Sequence, residues 1–526
     1  MDVALRSSLL TRTDAELSRL GPGRTSPRAR ISADESALYI RLYPFLDRDE
    51  FQEKAFHLEL PAMLEKDPQY SALYHAVLAP GCQQYGRGSF DPGKGRAWEL
   101  FRVSLSHTAD VLNFGDSLAG VQTSSVNCED NELTMLRSIF SMNACYLQVE
   151  RSILAEATRM TLALRYHKSA TEGSHAICRR VFWVIYHLEK QYSFQARRSS
   201  SIADYDVGCP IPNVPDSTFG DYNWFLFSIR FSRILSIAYE SLFSVTASTR
   251  DKASLLTAIG RIRGMLDQWR QSIPQDFRPK EPLNRHRLAD PHSKQAALST
   301  QCYYFHLVIA LERMSLQLEE KGGLRQQDSR KELLQAARTI IELTRFIDVE
   351  PYTPIFTLAI MPLSALFILF DFIIYNPYHP DVRSNITLLE VATGHFSLLD
   401  HASDGSLPGS HLSEFAHIAR RYIQELPARS SETPPQSGSN RSGDSYAHND
   451  VTGQTEGNSS LPEEDTGGYH EVRVDSMDAY EGPEVLNYPM PDMCLVSTEM
   501  QPMSDVDFRA LFNPTSPDPG QLYEYH

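Results

Sequence analysis

Cysteine is sparse and scattered. The 526 residues hold seven, and the nearest pair, Cys128 and Cys145, lies 17 positions apart. That spacing excludes a CxxC redox pair, a zinc finger and a binuclear zinc cluster within the sequence. The count is odd, and Met1–Leu10 lacks the apolar core of a secretory signal, so reduced thiols in an intracellular protein are expected. Long apolar runs are scarce too. Ile355–Tyr375 is 21 residues long, but Pro362 interrupts it, Asp371 sits near its end and Asn376-Pro377 follows. A spanning helix needs about 20 apolar residues and tolerates a carboxylate poorly. The reading is a buried core helix and no membrane.

Catalytic signatures are missing as well. There is no GxSxG, HExxH, P-loop or EF-hand, and no GxGxxG following a strand. The one enzyme-like string is Gly115-Asp116-Ser117-Leu118, the tetrapeptide of GDSL esterases, in which the serine is the nucleophile and a DxxH supplies the base. None of the 17 histidines has an aspartate three residues before it. A polar interhelical loop therefore fits these residues better than an esterase using Ser117. His167, His187 and His306 have no ligand at i+3 or i+4, which points to core packing or capping. No catalytic residue, cofactor or metal ligand is expected.

Positive charge is withheld from one end. Residues 428–526 hold 18 Asp and Glu against four Arg and no Lys, a net of −14 out of a total of −16. Such a chain does not coat nucleic acid as a polycation, and no Lys/Arg block stands out as a nuclear localisation signal. Residues 1–35 carry Arg, Ser and Pro in a segment with little to bury. The stretch 427–526 is rich in Ser, Gly, Pro, Asp and Glu, a composition that predicts disorder. Near its end Asp505, Asp507, Phe508, Leu511 and Phe512 form an acidic-hydrophobic segment with aromatics at i and i+4. It fits a short helix entering a partner's groove, and equally a solvated tail with stray aromatics.

Between these flanks, helical periodicity recurs. Leu154, Ala157, Met160 and Leu164 share a face, as do Phe227, Phe231, Ile234, Ala238 and Leu242, and then Leu256, Ile259, Ile262, Leu266, Trp269 and Ile273. Sustained period-2 alternation is lacking. Residues 36–426 are read as one large all-α domain. Val181–Tyr186 (VFWVIY) alone fits a buried strand as well as a helix, and Arg179-Arg180 before it and His187–Lys190 after it favour a helix.

Several of these strings, in this order, resemble the fungal-specific transcription factor domain, the middle homology region that follows binuclear zinc clusters in fungal activators. Ala157, Arg159, Met160, Leu164 and His167 match the end of one of its helices, with Tyr166 replacing Leu. Arg179, Arg180, Phe182, Trp183 and Tyr186 match its RRRxFWxxY helix, and Leu188-Glu189 stands in the following LD place. Ile202, Asp204, Asp206, Pro210 and Pro212 match the next segment. Where the family has Gly-Arg-Pro, this chain has Arg197-Arg198-Ser199, so only the arginine, Arg198, is kept. Met265–Pro274 and Leu363–Pro377 resemble two later helices. The resemblance covers about residues 36–426.

It implies a nuclear, pathway-specific regulator of transcription that works with the transcription machinery or a DNA-binding partner protein, and it leaves room for a small-molecule effector. No zinc cluster stands ahead of residue 36, so DNA contact is expected to be indirect unless the cluster is missing from this sequence. Phe182 and Trp183 are expected to be core anchors. Asp204 and Asp206 are expected to cap a helix, to pair with Arg179, Arg180 or Arg198, or to line a ligand pocket. A helical scaffold with no role in transcription is the alternative outside the family.

Overall fold

The computed structural model describes residues 41–426 apart from 85–87, 92, 107–132, 135, 138, 142–146, 169–175, 284–289, 321, 408, 410 and 411. Gly115–Leu118 and the 505–512 segment lie outside the described residues. The helices are α1 (Arg48–Ala55), α2 (Leu60–Lys66), α3 (Pro68–Cys82), α4 (Arg96–Ser106), α5 (Leu147–Ala163) and α6 (Ala176–Gln195). They continue with α7 (Trp224–Ala238), α8 (Val245–Ser248), α9 (Lys252–Ser272), α10 (Pro291–Leu318) and α11 (Leu324–Leu343). Last come α12 (Met361–Tyr375), α13 (Val382–Ala402) and α14 (Ser413–Glu425).

Many of the starts are written locally. Asp67 accepts from the N–H groups of Gln69 and Tyr70, and Asp290 from those of His292 and Ser293. In both cases proline follows, at the helix position where a missing N–H costs nothing. Asp47, Asn223 and Asp251 cap α1, α7 and α9 in the same way.

Packing is mostly between sequence neighbours. α6 lies against α5 and α7, α9 against α7 and α10, and α11 against α10, α12 and α13. One continuous apolar core runs through these helices, with α6, α10 and α12 at its centre. A satellite core under α3 and α4 gathers Trp98, Phe101 and Phe140. There the Phe101 and Phe140 rings stack 4.3 Å apart, with Trp98 edge-on to both.

The architecture is all-α with one local exception. Thr218–Phe219 and Tyr222–Asn223 form a two-residue antiparallel hairpin, turning at Gly220 with φ +64. It is too short to show in a periodicity count, and glycine takes that backbone angle without strain. The hairpin holds the start of the described chain: the Trp224 indole donates to Leu42 O at 2.9 Å, and Arg41 donates to Asp216 O and Thr218 O while lying over the Phe219 ring.

Val181–Tyr186 is helical, inside α6, and every residue from Val181 to Gln191 is buried. The apolar run near Pro362 divides in two. Phe356–Ile360 is a π-turn that runs on into α12 at Met361, so the proline falls just past the junction of the two. Phe356–Tyr375 is long and apolar enough to cross a membrane, and most of it is buried inside the fold. Burial pushes the Asp371 carboxyl up to about 6, against the pull of Arg313.

Candidate functional site

The matched motif residues converge on α6 and the loop that returns over it. At the end of α6 the chain turns at Arg197, whose φ is +53. Arg197 N–H donates to Phe194 O and Arg198 N–H to Ser193 O, the two reversed bonds of a Schellman cap. Glycine is the usual residue there. Here the Arg197 guanidinium lies 5.0 Å from the Phe194 ring centre and 4.2 Å from that of Phe243.

The loop is then bound back to α6 by two buried charges. Glu189 accepts from Ser193 Oγ at 2.9 Å, Ser200 Oγ at 2.6 Å and the Ser201 N–H at 2.7 Å. Lys190, with its side chain 2% exposed, donates to Ile202 O at 2.6 Å and Ser236 Oγ at 2.9 Å, and its Nζ is 3.2 Å from Asp204 Oδ1. Two hydrogen bonds and an ion pair thus compensate the charge, the condition under which a buried lysine is tolerated. Tyr186 donates to the same Asp204 oxygen at 2.7 Å. Burial, reinforced by that carboxylate, holds the Tyr186 hydroxyl far above the usual phenol range.

Trp183 donates its indole N–H to Pro210 O at 3.1 Å, and Arg233 of α7 lies over its ring. Phe182 is fully buried, edge-on to Trp183 and tilted against His167. Cys209 is buried beside them, its thiol pushed up to about 11 by desolvation, so it stays protonated at neutral pH.

The two aspartates have partners that the sequence reading did not name. Asp204 meets Lys190 and Tyr186. Asp206 meets Lys168 Nζ at 3.1 Å and His167 Nε2 at 3.3 Å, and the hydrogen bond from Lys168 holds its carboxyl below the usual range. Arg180 is half-buried and Arg198 exposed, and neither reaches these carboxylates. The reason is geometric: the loop crosses the face of α6 carrying Tyr186 and Lys190, seven and eleven residues beyond Arg179. Asp206 opens on a cleft of about 310 Å³ with Arg165, Lys168 and Ser201 on its walls; Asp204 is not part of it. Lys190, Arg233 and Lys168 were missed by motif reading, and Glu189 was matched to the motif without its role. Lys190 looked like the polar end of an apolar run, and only its place two turns from Trp183 on one helix face hinted otherwise.

Among the described residues no three His, Cys, Asp or Glu side chains are grouped to hold a metal ion. The arrangement is a mechanical one: a long loop fixed to a central helix through ionic and aromatic contacts.

Residues 127–271, which include this helix and loop, match the model of the fungal-specific transcription factor domain. Over that stretch the chain is similar to the fungal-specific transcription factor domain. An ABC-transporter-regulating transcription factor of Aspergillus oryzae is 28% identical over 304 residues, which is 52% of this chain and 34% of that protein. The protein of the same description from Aspergillus fumigatus is 27% identical, with the same shares covered. A fumonisin cluster-specific transcription factor of Gibberella moniliformis is 24% identical over 54% of this chain and 44% of its own length. The chain therefore spans about a third of the first two relatives it matches. No solved structure matches it.

Proposed function

We propose that the chain is a nuclear, pathway-specific regulator of transcription of the fungal type and not an enzyme. The observation that carries the reading is the match of the transcription factor domain over 127–271, joined to relatives named as transcription factors. In this reading residues 36–426 form the regulatory body. The loop at Asp204–Asp206 and the cleft beside Asp206 are the part of the motif open to a partner or effector. Residues 427–526 are the segment that engages the transcription machinery, through Phe508, Leu511 and Phe512 with Asp505 and Asp507 beside them. DNA is reached either through a partner protein or through a zinc cluster encoded ahead of residue 1, and mapping the 5′ end of the transcript distinguishes the two.

The test of function is a reporter assay. Residues 428–526 fused to an unrelated DNA-binding domain are expected to raise output, and Phe508→Ala with Leu511→Ala to return it to background. Output unchanged by the double substitution removes the role assigned to the motif, and no output from the fusion removes activation by the tail. Hydrolysis of acyl esters that disappears in Ser117→Ala would overturn the non-enzymatic reading.

A further inference from the structure

The loop that returns over α6 opens with Arg197-Arg198-Ser199-Ser200-Ser201, three hydroxyls behind two cations. The serines are not equivalent. Ser199 Oγ lies 3.4 Å from the Tyr239 hydroxyl. Ser200 is held inside the loop, donating to Glu189 Oε2 at 2.6 Å with Ile202 O 3.1 Å away. Ser201 is exposed, and its hydroxyl makes no hydrogen bond among the described residues. Its backbone N–H is fixed by Glu189 Oε1 at 2.7 Å. The position of Ser201 is therefore set while its side chain is left free to react.

The two arginines differ as well. Arg197, three residues ahead of Ser200, has its guanidinium on the Phe194 and Phe243 rings. Arg198, three residues ahead of Ser201, is exposed, and its guanidinium has no partner among the described residues. Residues 198–201 lie outside every helix and strand. Kinases that select basic substrates read such an arginine through carboxylates in their own groove. Both the accessible cation and the accessible hydroxyl thus point to Ser201 and not to Ser200.

Ser201 also stands on the wall of the cleft of about 310 Å³ beside Asp206, together with Arg165 and Lys168. Arg165 is exposed and has no side-chain partner among the described residues. Lys168 meets Asp206 at 3.1 Å, and the same carboxylate has His167 at 3.3 Å. With His167 neutral, two cations against one carboxylate leave the cleft positive. A phosphoserine carries about −1.5 to −2 charges and three acceptor oxygens at pH 7. Arginine's planar fork and a lysine beside it are the usual partners of such a group.

We propose that Ser201 is the acceptor of an arginine-directed serine kinase, and that Arg165 and Lys168 hold the phosphate once it is made. The kinase supplies ATP. The bond from the γ-phosphorus to the β,γ-bridging oxygen breaks, a bond from Ser201 Oγ forms, ADP leaves and the hydroxyl proton passes to the kinase's base. The phosphate then ties the loop to the turn that follows α5, beside the existing Asp206–Lys168 pair. The modification is independent of any role in transcription.

The test incubates the full chain with Mg-ATP and a calmodulin-dependent protein kinase, which reads arginine three residues ahead of its serine. Tandem mass spectrometry then locates the phosphate. One phosphate at Ser201 is expected, absent in Ser201→Ala and formed about tenfold more slowly in Arg198→Gln through loss of a charged contact. Ser201→Ala keeps the backbone bond to Glu189, so the loop is expected to stay in place. In the phosphorylated chain, a phosphorus NMR titration should show the second proton leaving below about pH 6, its usual value, and returning to about 6 in Arg165→Gln with Lys168→Gln. No phosphate, phosphate at Ser199 or Ser200 in place of Ser201, a rate unchanged in Arg198→Gln, or a titration unchanged by the double substitution would each overturn the proposal.

Discussion

Arg197 adopts a left-handed backbone, φ +53, that glycine takes without strain, and its guanidinium lies on the Phe194 and Phe243 rings. The backbone cost for a side-chain-bearing residue is about 1–2 kcal/mol, and an exposed cation–π contact returns about 0.5–1 kcal/mol. Arg197→Gly is therefore expected to shift stability by less than about 1 kcal/mol in urea unfolding, whereas Arg197→Val, which keeps the backbone strain and loses the cation, costs about 1 kcal/mol. A Val variant as stable as the parent would show that the Schellman turn is not held in this form. Lys190 behaves differently, because its partners are buried with it. Lys190→Met takes the ion pair from Asp204, which keeps Tyr186, and the donor from Ile202 O and Ser236 Oγ, and is expected to cost about 3 kcal/mol. Combining it with Asp204→Asn should cost less than the two separate losses together, because both remove the same ion pair. Full additivity in that cycle would mean that Lys190 and Asp204 do not hold the loop jointly.

Proline is tolerated in the most apolar element through one histidine. Pro362 has no N–H to offer the carbonyl four residues earlier, that of Leu358. His395 of α13 reaches across, its Nε2 2.7 Å from Leu358 O, and serves as the donor; burial pushes the imidazole down, so it does so as the neutral ring. His395→Leu is expected to cost about 1–3 kcal/mol by leaving a buried carbonyl unpaired. In a Pro362→Ala background, where the backbone can donate, the same substitution should cost measurably less. An equal cost in both backgrounds would separate the histidine from the proline. Sequence reading reached this element only in part. That Ile355–Tyr375 is a core helix with a proline in it was legible from composition and from Asp371, but a bond from a residue 37 positions away was not. The same contrast holds elsewhere. Asp-Pro starts at α3 and α10 and the apolar faces of α5, α7 and α9 are local and readable. The pairing of Asp204 with Lys190, and of Asp206 with Lys168 and His167, depends on how a loop crosses a helix. Sequence reading left capping, pairing with an arginine and a ligand pocket all open, and did not name these partners.

Across the whole molecule, buried histidines govern the response to acid. Desolvation pushes His187 down to about 4 and His306 to about 3, and lowers His395 as well. His187 Nδ1 donates to Ser232 Oγ, whose own proton goes to Ser228 O, so the ring is held as one neutral tautomer among Trp224, Tyr303 and Tyr43. His306 lies edge-on between Phe194 and Phe356. The unfolded chain takes up protons at these positions near pH 6.5 and the folded chain does not, so their stabilisation is complete above pH 6.5 and is lost as pH falls toward 4. Each contributes up to about 1.4 kcal/mol per pH unit in that window. Asp371 opposes them: its raised carboxyl is a cost above the usual carboxylate range that is relieved as pH falls through about 6. With three histidines against one such aspartate, unfolding free energy is expected to fall between pH 7.5 and pH 5.5, well before ordinary carboxylates titrate. His306 makes ring contacts and its Nδ1 has no hydrogen-bond partner among the described residues, so His306→Leu removes its share of the slope at small structural cost. Urea unfolding at the two pH values should give a smaller loss for His306→Leu than for the parent chain. An identical loss in both would mean that His306 is protonated in the folded state, and that its place between the two phenylalanines is not the one described.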